Sequence, residues 1–481
     1  MKILLLNPPR WNELVGKNPS IIEKHRGFNP PLGLLYLAST IKKITNYDVE
    51  VLDAQPLKLT YSQLENYFRG KSFDVVGISA MTFTLIDAYK TAKLIKKIMP
   101  TTKVILGGTH VHLFPHETKN LEGVDFAFMG EAELSLVEFL KNLKNPAYYH
   151  KIPGLIYRNT EGKIIENDFE PLDNLDELPF PERKLLNIKN YNSLLSKASL
   201  STTIISSRGC PFRCAFCDRP LSPITSHFRF RDAKNVADEI CECVELGIKD
   251  FLFYDDTFTV SKERVLDFCE EIIKRKLEIR WDIRTRVDIV DEEMLKMLKK
   301  AGCVAIHYGV ESGSDKILKV IKKGFTLKKV KEIFKLTKKL KIETLAYFMI
   351  GLPLENLEDI QNTLDLAKEL KPDYAHFTIF SPYPGTEFYR LGLEKGIIKK
   401  DIWKEFARNP KEEFKIPVWE ENFTREQLYE MIVKFYKSFY LRPSYVLSRS
   451  IKARSKGELI KKARAGLSVL TMKKEKIDTL R

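Results

Sequence analysis

The chain has 481 residues, 44% hydrophobic and 30% charged. This composition excludes a disordered polymer or a fibrous repeat, and at roughly 100–200 residues per domain the length calls for two to four domains. The formal charge of +15 is unevenly placed, because Leu441 to Arg481 carries twelve basic residues against three acidic ones. Such a stretch fits either a surface that meets phosphate or a solvated tail.

At the start, Ile3 to Leu6 is halted by Asn7-Pro8-Pro9, too short for the core of a signal peptide. No apolar run approaches the roughly 18 residues of a spanning helix, so a cytoplasmic protein is expected. Residues 1–145 then alternate short apolar or β-branched runs with helical stretches, the pattern of a parallel sheet with crossover helices. Strands are predicted at Lys2 to Leu6, Val49 to Asp53, Asp74 to Ser79, Lys103 to Leu106 and Asp125 to Met129. Residues 146–199 lose the rhythm and hold Pro153, Pro171, Pro179 and Pro181, which reads as a small hairpin and a linker.

A second alternating series fills residues 200–395. Its strands are predicted at Thr203 to Ser206, Asp250 to Tyr254, Ile279 to Arg284, Val304 to Val310, Thr344 to Ile350 and Tyr374 to Phe380. Six successive βα repeats imply a full or partial barrel. Residues 396–481 are expected to be helical and basic, with Arg425 to Leu441 the strongest pattern. Neither a Walker A sequence nor a G-x-G-x-x-G turn after a strand is present, which removes the usual support for ATP hydrolysis or nicotinamide chemistry.

An odd count of seven cysteines without an export signal argues for metal or redox use over disulfides. Cys210, Cys214 and Cys217 form C-x3-C-x2-C on the loop after the first strand of the second series. Three thiolates on one short loop can ligate three irons of a [4Fe-4S] cube and leave the fourth iron open. A zinc site would need a fourth side chain and favours paired C-x2-C spacing. Cys243 and Cys269 fall on apolar helix faces and Cys303 opens a strand, so these read as small core residues. Cys241 is unassigned.

With Phe216 before the third cysteine, this loop on a βα barrel resembles the radical S-adenosylmethionine (SAM) enzymes. The resemblance implies a SAM cofactor chelated to the open iron through its amino and carboxylate groups. It also implies an electron donor of flavodoxin or ferredoxin type and a 5′-deoxyadenosyl radical that abstracts hydrogen from an unactivated C–H bond. Further matches end the following strands: Asp255-Asp256, Arg284-Thr285-Arg286, Glu311-Ser312 and Gly351-Leu352-Pro353 with Glu355. By likeness, Phe216 contacts adenine, Glu311 and Ser312 the ribose region, and Arg284 or Arg286 the cofactor carboxylate, which a guanidinium fork suits. Asp255, Asp256 and Gly351 complete the expected SAM site, although the two aspartates could instead cap a helix.

The first domain resembles the cobalamin-binding domains fused to many such enzymes, a Rossmann-like parallel sheet. The likeness rests on Ser79-Ala80-Met81-Thr82, Gly107-Gly108-Thr109-His110 and Gly130-Glu131 at strand carboxyl ends, where open sheets bind ligands. Asn7, Ser79, Met81, Thr82, Gly107, Gly108, His110, Gly130 and Glu131 are the expected cobalamin contacts. The D-x-H-x-x-G fingerprint is missing, since the first loop is Asn7-Pro8-Pro9-Arg10; no histidine from it is expected beneath cobalt. His110, His112 and His116 are structural residues more often than ligands.

Together the resemblances imply a cobalamin-dependent radical SAM enzyme, most often a C-methyltransferase; a non-methylating oxidative cyclase or ring-rearranging enzyme is the alternative. No cysteine precedes Cys210, unlike in RNA-modifying methylthiotransferases, and no DNA-binding pattern supports a sensor, so no nucleic-acid partner is expected. The substrate is a small molecule, and Lys452 to Leu470, mixing basic and apolar residues, raises a lipid or isoprenoid class and peripheral membrane contact.

Overall fold

The computed structural model describes residues 1–14, 27–193, 200–218, 223–451, 466–467 and 469–472. A seven-stranded sheet is built from β1 (Lys2–Asn7), β2 (Asp48–Asp53), β3 (Val75–Ser79), β4 (Lys103–Gly107), β5 (Phe126–Phe128), β6 (Leu155–Arg158) and β7 (Ile164–Glu166), in the order β2-β1-β3-β4-β5-β6-β7. The first five strands run parallel, and β6–β7, the hairpin expected in the linker, adds antiparallel to β5. Three-residue β5 would otherwise leave an open edge, and the hairpin satisfies that edge's backbone groups.

Central β1 shows why the run of leucines is needed. Leu4 and Leu6 enter one core with helix Leu85–Ile98, whereas Ile3 and Leu5 enter the other with helices Leu32–Ile44 and Glu133–Lys141. A parallel strand covered on both faces needs apolar side chains at both parities.

The second sheet has six parallel strands in sequence order: β8 (Ser201–Ile204), β9 (Asp250–Phe253), β10 (Arg280–Thr285), β11 (Cys303–Glu311), β12 (Glu343–Ile350) and β13 (Tyr374–Ile379). Among the described residues β8 and β13 do not pair, so the barrel is partial. Its outer face is apolar: Trp281 packs edge-on to Phe253 and Phe268, and Tyr308 lies against Phe334. Cys243, Cys269 and Cys303 lie in this core as expected.

Both outer strands are capped by side chains. Helix Arg425–Tyr440 lies along β13, where the Tyr440 hydroxyl accepts from Ala375 N (3.0 Å) and donates to Ala375 O (2.7 Å). The Tyr436 hydroxyl does the same at Phe377 (3.2 and 3.1 Å). At the other edge Arg183 donates to Thr203 O (2.9 Å) and pairs with Glu239 (2.6 Å). Trp403 and Phe406, in helix Ile402–Arg408, pack into the core of the first sheet, so the carboxyl-terminal region braces both sheets. The basic amphipathic stretch at Lys452 to Leu470 falls, except for residues 466–467 and 469–470, outside the described residues. Among the described residues no helix is long and apolar enough to cross a membrane.

Candidate active site

The three-cysteine loop leaves β8 through a two-residue strand, Ser207–Arg208, paired antiparallel with Arg229–Phe230. Gly209 adopts φ +86°, and a Cβ there would lie 2.2 Å from His227 O, so this turn needs glycine. Cys210 N donates to Thr225 O (2.8 Å), and Ala215 N donates to Ile321 O (3.1 Å). The loop is therefore fixed by protein contacts on both sides of Cys214.

Around the thiols the structure gathers cations. Arg286 Nη1 is 3.5 Å from Cys214 Sγ, while its Nε and Nη2 fork onto Asp288 (2.9 and 2.8 Å) and its guanidinium stacks 3.9 Å over the Phe212 ring. Buried Lys323 bonds Glu311 Oε1 at 2.8 Å and lies 5.5 Å from the Phe216 ring centre. Burial pushes the Cys214 thiol up, and the charges of Lys323 and Arg286 pull it back. Thr257 Oγ1 sits 3.4 Å from Cys210 Sγ.

The other strand ends differ in what they leave free. Asp255 is buried and accepts from Ser206 N (2.7 Å), Ser206 Oγ (2.5 Å), Ser207 Oγ (2.7 Å) and Arg264 Nη2 (3.1 Å). It ties β8 to β9 beneath the cysteine loop and caps no helix; Asp256 is exposed. Glu311 has φ +70°, and Ser312 is fully buried, its hydroxyl accepting from Ser314 N at 3.2 Å. Gly351 has φ +77°, and its N–H and that of Leu352 donate to Glu355 Oε2 (2.6 and 3.0 Å). Burial pushes Glu355 up to about 8. Arg284, one layer further inside than Arg286, stacks 3.9 Å from the Tyr254 ring.

In the first sheet the loops after β1, β3, β4 and β5 share one edge. Asn7 is held by Asp53 (2.9 Å) and Gln55 (3.2 Å). Ser79 is half-buried and Met81 exposed. Nothing lies within 4 Å of a Cβ built on Gly107, whereas one on Gly108, at φ +112°, would meet Ala80 O at 2.6 Å. Gly107 thus faces open space and Gly108 makes the close turn behind it. His110 is buried, its Nδ1 3.1 Å from Thr82 Oγ1 and its Nε2 without a hydrogen-bond partner among the described residues. Burial lowers it to about 3, so the ring is neutral. Gly130, at φ +79°, lies under the Phe169 ring.

The two sheets meet through Glu131 and Glu133. Glu131 receives a fork from Arg229 (both 2.8 Å) and lies 3.3 Å from Arg208 Nη1, while Glu133 takes Arg208 Nη2 at 2.6 Å. Glu131 is thereby committed to the junction, whose Arg208 stands two residues before Cys210. Arg208, Arg229 and Lys323 carry much of this arrangement. Arg208 stood beside the cysteine motif, but Lys323 sits among other lysines and nothing local marks it.

The donor chemistry fits a cube. Among the described residues no group of three or more His, Cys, Asp or Glu side chains is placed to hold a single ion, but a cube takes one thiolate per iron at separate corners. The three cysteines form no disulfide among the described residues, and Arg286 and Lys323 bring positive charge to Cys214. For cobalamin, the open space in front of Gly107, at the carboxyl edge of the sheet, offers a cradle.

The Radical SAM superfamily profile matches residues 204–367, and the B12 binding domain profile matches residues 20–140. The chain is 34% identical over 472 residues to an uncharacterized methyltransferase of Pyrococcus horikoshii, covering 97% of this chain and 98% of that one. It is 28% identical to the anaerobic magnesium-protoporphyrin IX monomethyl ester cyclase of Rubrivivax gelatinosus, covering 87% and 75%. Among solved structures, the cobalamin-dependent SAM radical enzyme OxsB superposes with a TM-score of 0.74 at 18% identity, over 98% of this chain and 72% of that one. The radical SAM methyltransferase TsrM from Kitasatospora setae gives 0.66 at 20%, over 82% and 77%. This chain belongs to the radical SAM enzymes that carry a B12-binding domain. Its cofactors are a [4Fe-4S] cluster, SAM and cobalamin.

Proposed function

We propose that this enzyme methylates an unactivated carbon of a small molecule, with residues 1–145 holding cobalamin, 146–199 linking, 200–395 forming the radical barrel and 396–481 bracing both. The observation that supports it most directly is the junction of Arg208 and Arg229 with Glu131 and Glu133, which seats the cobalamin edge of one sheet beside the cysteine loop of the other. When bound, the cluster and SAM supply a hydrogen-abstracting radical and cobalamin supplies the methyl group.

Cys210, Cys214 and Cys217 hold the cube, with Arg286 and Lys323 compensating its negative charge. Phe216, Glu311, Ser312 and Gly351 shape the SAM site, with Asp255 acting behind it through Ser206 and Ser207. Gly107 and Gly108 admit the flat face of cobalamin, and Asn7, Ser79, Met81, Thr82, His110 and Gly130 border it. The packed junction keeps water and stray thiols from the reacting carbon. An external one-electron donor completes the system.

The test is anaerobic incubation of the reconstituted enzyme with SAM bearing a trideuterated methyl group and extracts of candidate substrates, lipids included. A product heavier by one labelled methyl, with S-adenosylhomocysteine and 5′-deoxyadenosine formed together, is the expected result. The likeness to the cyclase favours one second reading, an oxidative ring closure. Loss of hydrogen or gain of oxygen without S-adenosylhomocysteine would establish it. Alanine at Cys210, Cys214 and Cys217 should abolish cluster iron and nucleoside formation, whereas Cys243→Ala should keep both.

A further inference from the structure

Inside the barrel lies a polar cluster in which Asp282, His307, Tyr347 and His376 carry none of the cofactor roles expected from the sequence. Since Trp281, Ile283, Tyr308 and Phe377 pack outward, the residues of opposite parity on these strands face the interior. They include Asp282 and Arg284 on β10, His307 on β11, Tyr347 on β12 and His376 on β13. The sheet register sets Arg284 beside His307 and Tyr347 beside His376. His307 Nδ1 is 3.2 Å from the Tyr347 hydroxyl, and the Tyr347 and His376 rings stand 5.6 Å apart. The cluster reaches the mouth at Tyr254, whose ring covers Arg284 and whose hydroxyl accepts from Asn29 of the first-sheet side at 2.5 Å.

Arg284 stands out in its charge balance. Arg286, Arg229, Arg208, Arg264 and Arg183 each meet a carboxylate. Arg284 is mostly buried, yet among the described residues no carboxylate is in ion-pair contact with it. Asp282, two residues before it on the same strand, is pushed by burial up to about 7 against the pull of Arg284 itself, so it supplies only part of a compensating charge. Burial and the guanidinium hold His307 down at about 3, neutral. A guanidinium in such an interior needs an anion, because desolvating an unpaired charge is costly.

Resting on the cobalamin-dependent reading above, we propose that Arg284, flanked by Tyr254, His307 and Tyr347, is the substrate anchor: it binds an anionic oxygen group, carboxylate or phosphoryl, inside the barrel mouth. The acid group sits where the two sheets meet, and its fork geometry fixes which carbon lies before the radical. Arg284 lies within β10 and Arg286 just past its end, so the two guanidiniums start from different levels of the barrel, which separates substrate from the cluster-bound cofactor.

The experiment compares anaerobically reconstituted holoenzyme with Arg284→Met and Arg284→Lys, using inorganic phosphate and propionate as probes in calorimetric titrations with SAM present. One probe should bind saturably at one site and weaken about tenfold or more in R284M; R284K should fall between, because an ammonium lacks the fork. Preference for phosphate or for propionate identifies the acid class. Absence of saturable binding by both, or equal binding in R284M, overturns the proposal. If R284M instead loses SAM affinity while its iron content is normal, Arg284 serves the cofactor and the anchor is refuted, with the methylation reading intact. Should R284M lose iron as well, R284K carries the comparison. A wild-type protein that holds no cobalamin or forms no nucleoside would refute the reading on which this rests, and that readout needs neither anion.

Discussion

Replacing Glu131 with alanine should weaken the joint between the two sheets. Glu131 is 11% exposed and Arg229 4%, so salt screens the pair little. Burial works against ionisation, but the Arg229 fork and the nearby Arg208 hold the carboxyl below its usual range. Removing one member of such a pair costs about 3–5 kcal/mol, because the cation stays buried. At about 2–4 °C per kcal/mol for a unit of 150–250 residues, the first unfolding transition should fall by roughly 6–20 °C. Since the folded pKa is depressed, the contribution is complete above the unfolded value near 4.5 and disappears as pH falls through the lower folded value.

Urea unfolding of E131A, R229A and the double variant gives the coupling directly, expected at about 1.5 kcal/mol or more. In turnover, methylated product per 5′-deoxyadenosine should drop, by about a hundredfold for a displacement on the order of 1 Å. A coupling near zero, together with an unchanged product ratio, would refute the view that this pair aligns the two halves.

Three other outcomes follow from the geometry. Asp255→Asn leaves Arg264 without its carboxylate partner and should cost about 3 kcal/mol or more, with reduced iron uptake; normal iron and stability would contradict its role beneath the loop. Gly107→Leu projects into open space and should eliminate cobalamin absorbance while leaving the melting temperature unchanged, so retained cobalamin would place the cradle elsewhere. For Glu355 the folded value of about 8 exceeds the unfolded 4.5, so folding binds a proton and wild-type stability declines as pH rises between those values. Glu355→Gln removes that slope, and an equal pH profile for both proteins in urea titrations would exclude a protonated Glu355.

The strands were legible because parity and spacing are local: Ile3 to Leu6 and the six repeats after residue 200 appear where periodicity put them, within one or two residues at their ends. The cysteine loop was legible because its three cysteines lie within eight residues of sequence. Less visible were contacts assembled by topology. Asp255 looked like a cap or cofactor contact, but its oxygens meet donors from Ser206 and Ser207, just past β8, and from Arg264. Glu131 looked like a ligand-facing residue, yet its arginine partners lie far along the chain. Likewise the hairpin at β6–β7 was recognised as a hairpin, but its attachment to β5 is a long-range pairing that no local pattern encodes.

The capping of β8 by Arg183 and of β13 by Tyr436 and Tyr440 has a further meaning. Guanidinium and phenol groups occupy positions that a seventh or eighth strand would need, so the wall cannot close on itself or recruit a foreign segment. The wall is thus held at six strands by side chains at its two rims, where no hydrogen-bond ladder closes it among the described residues.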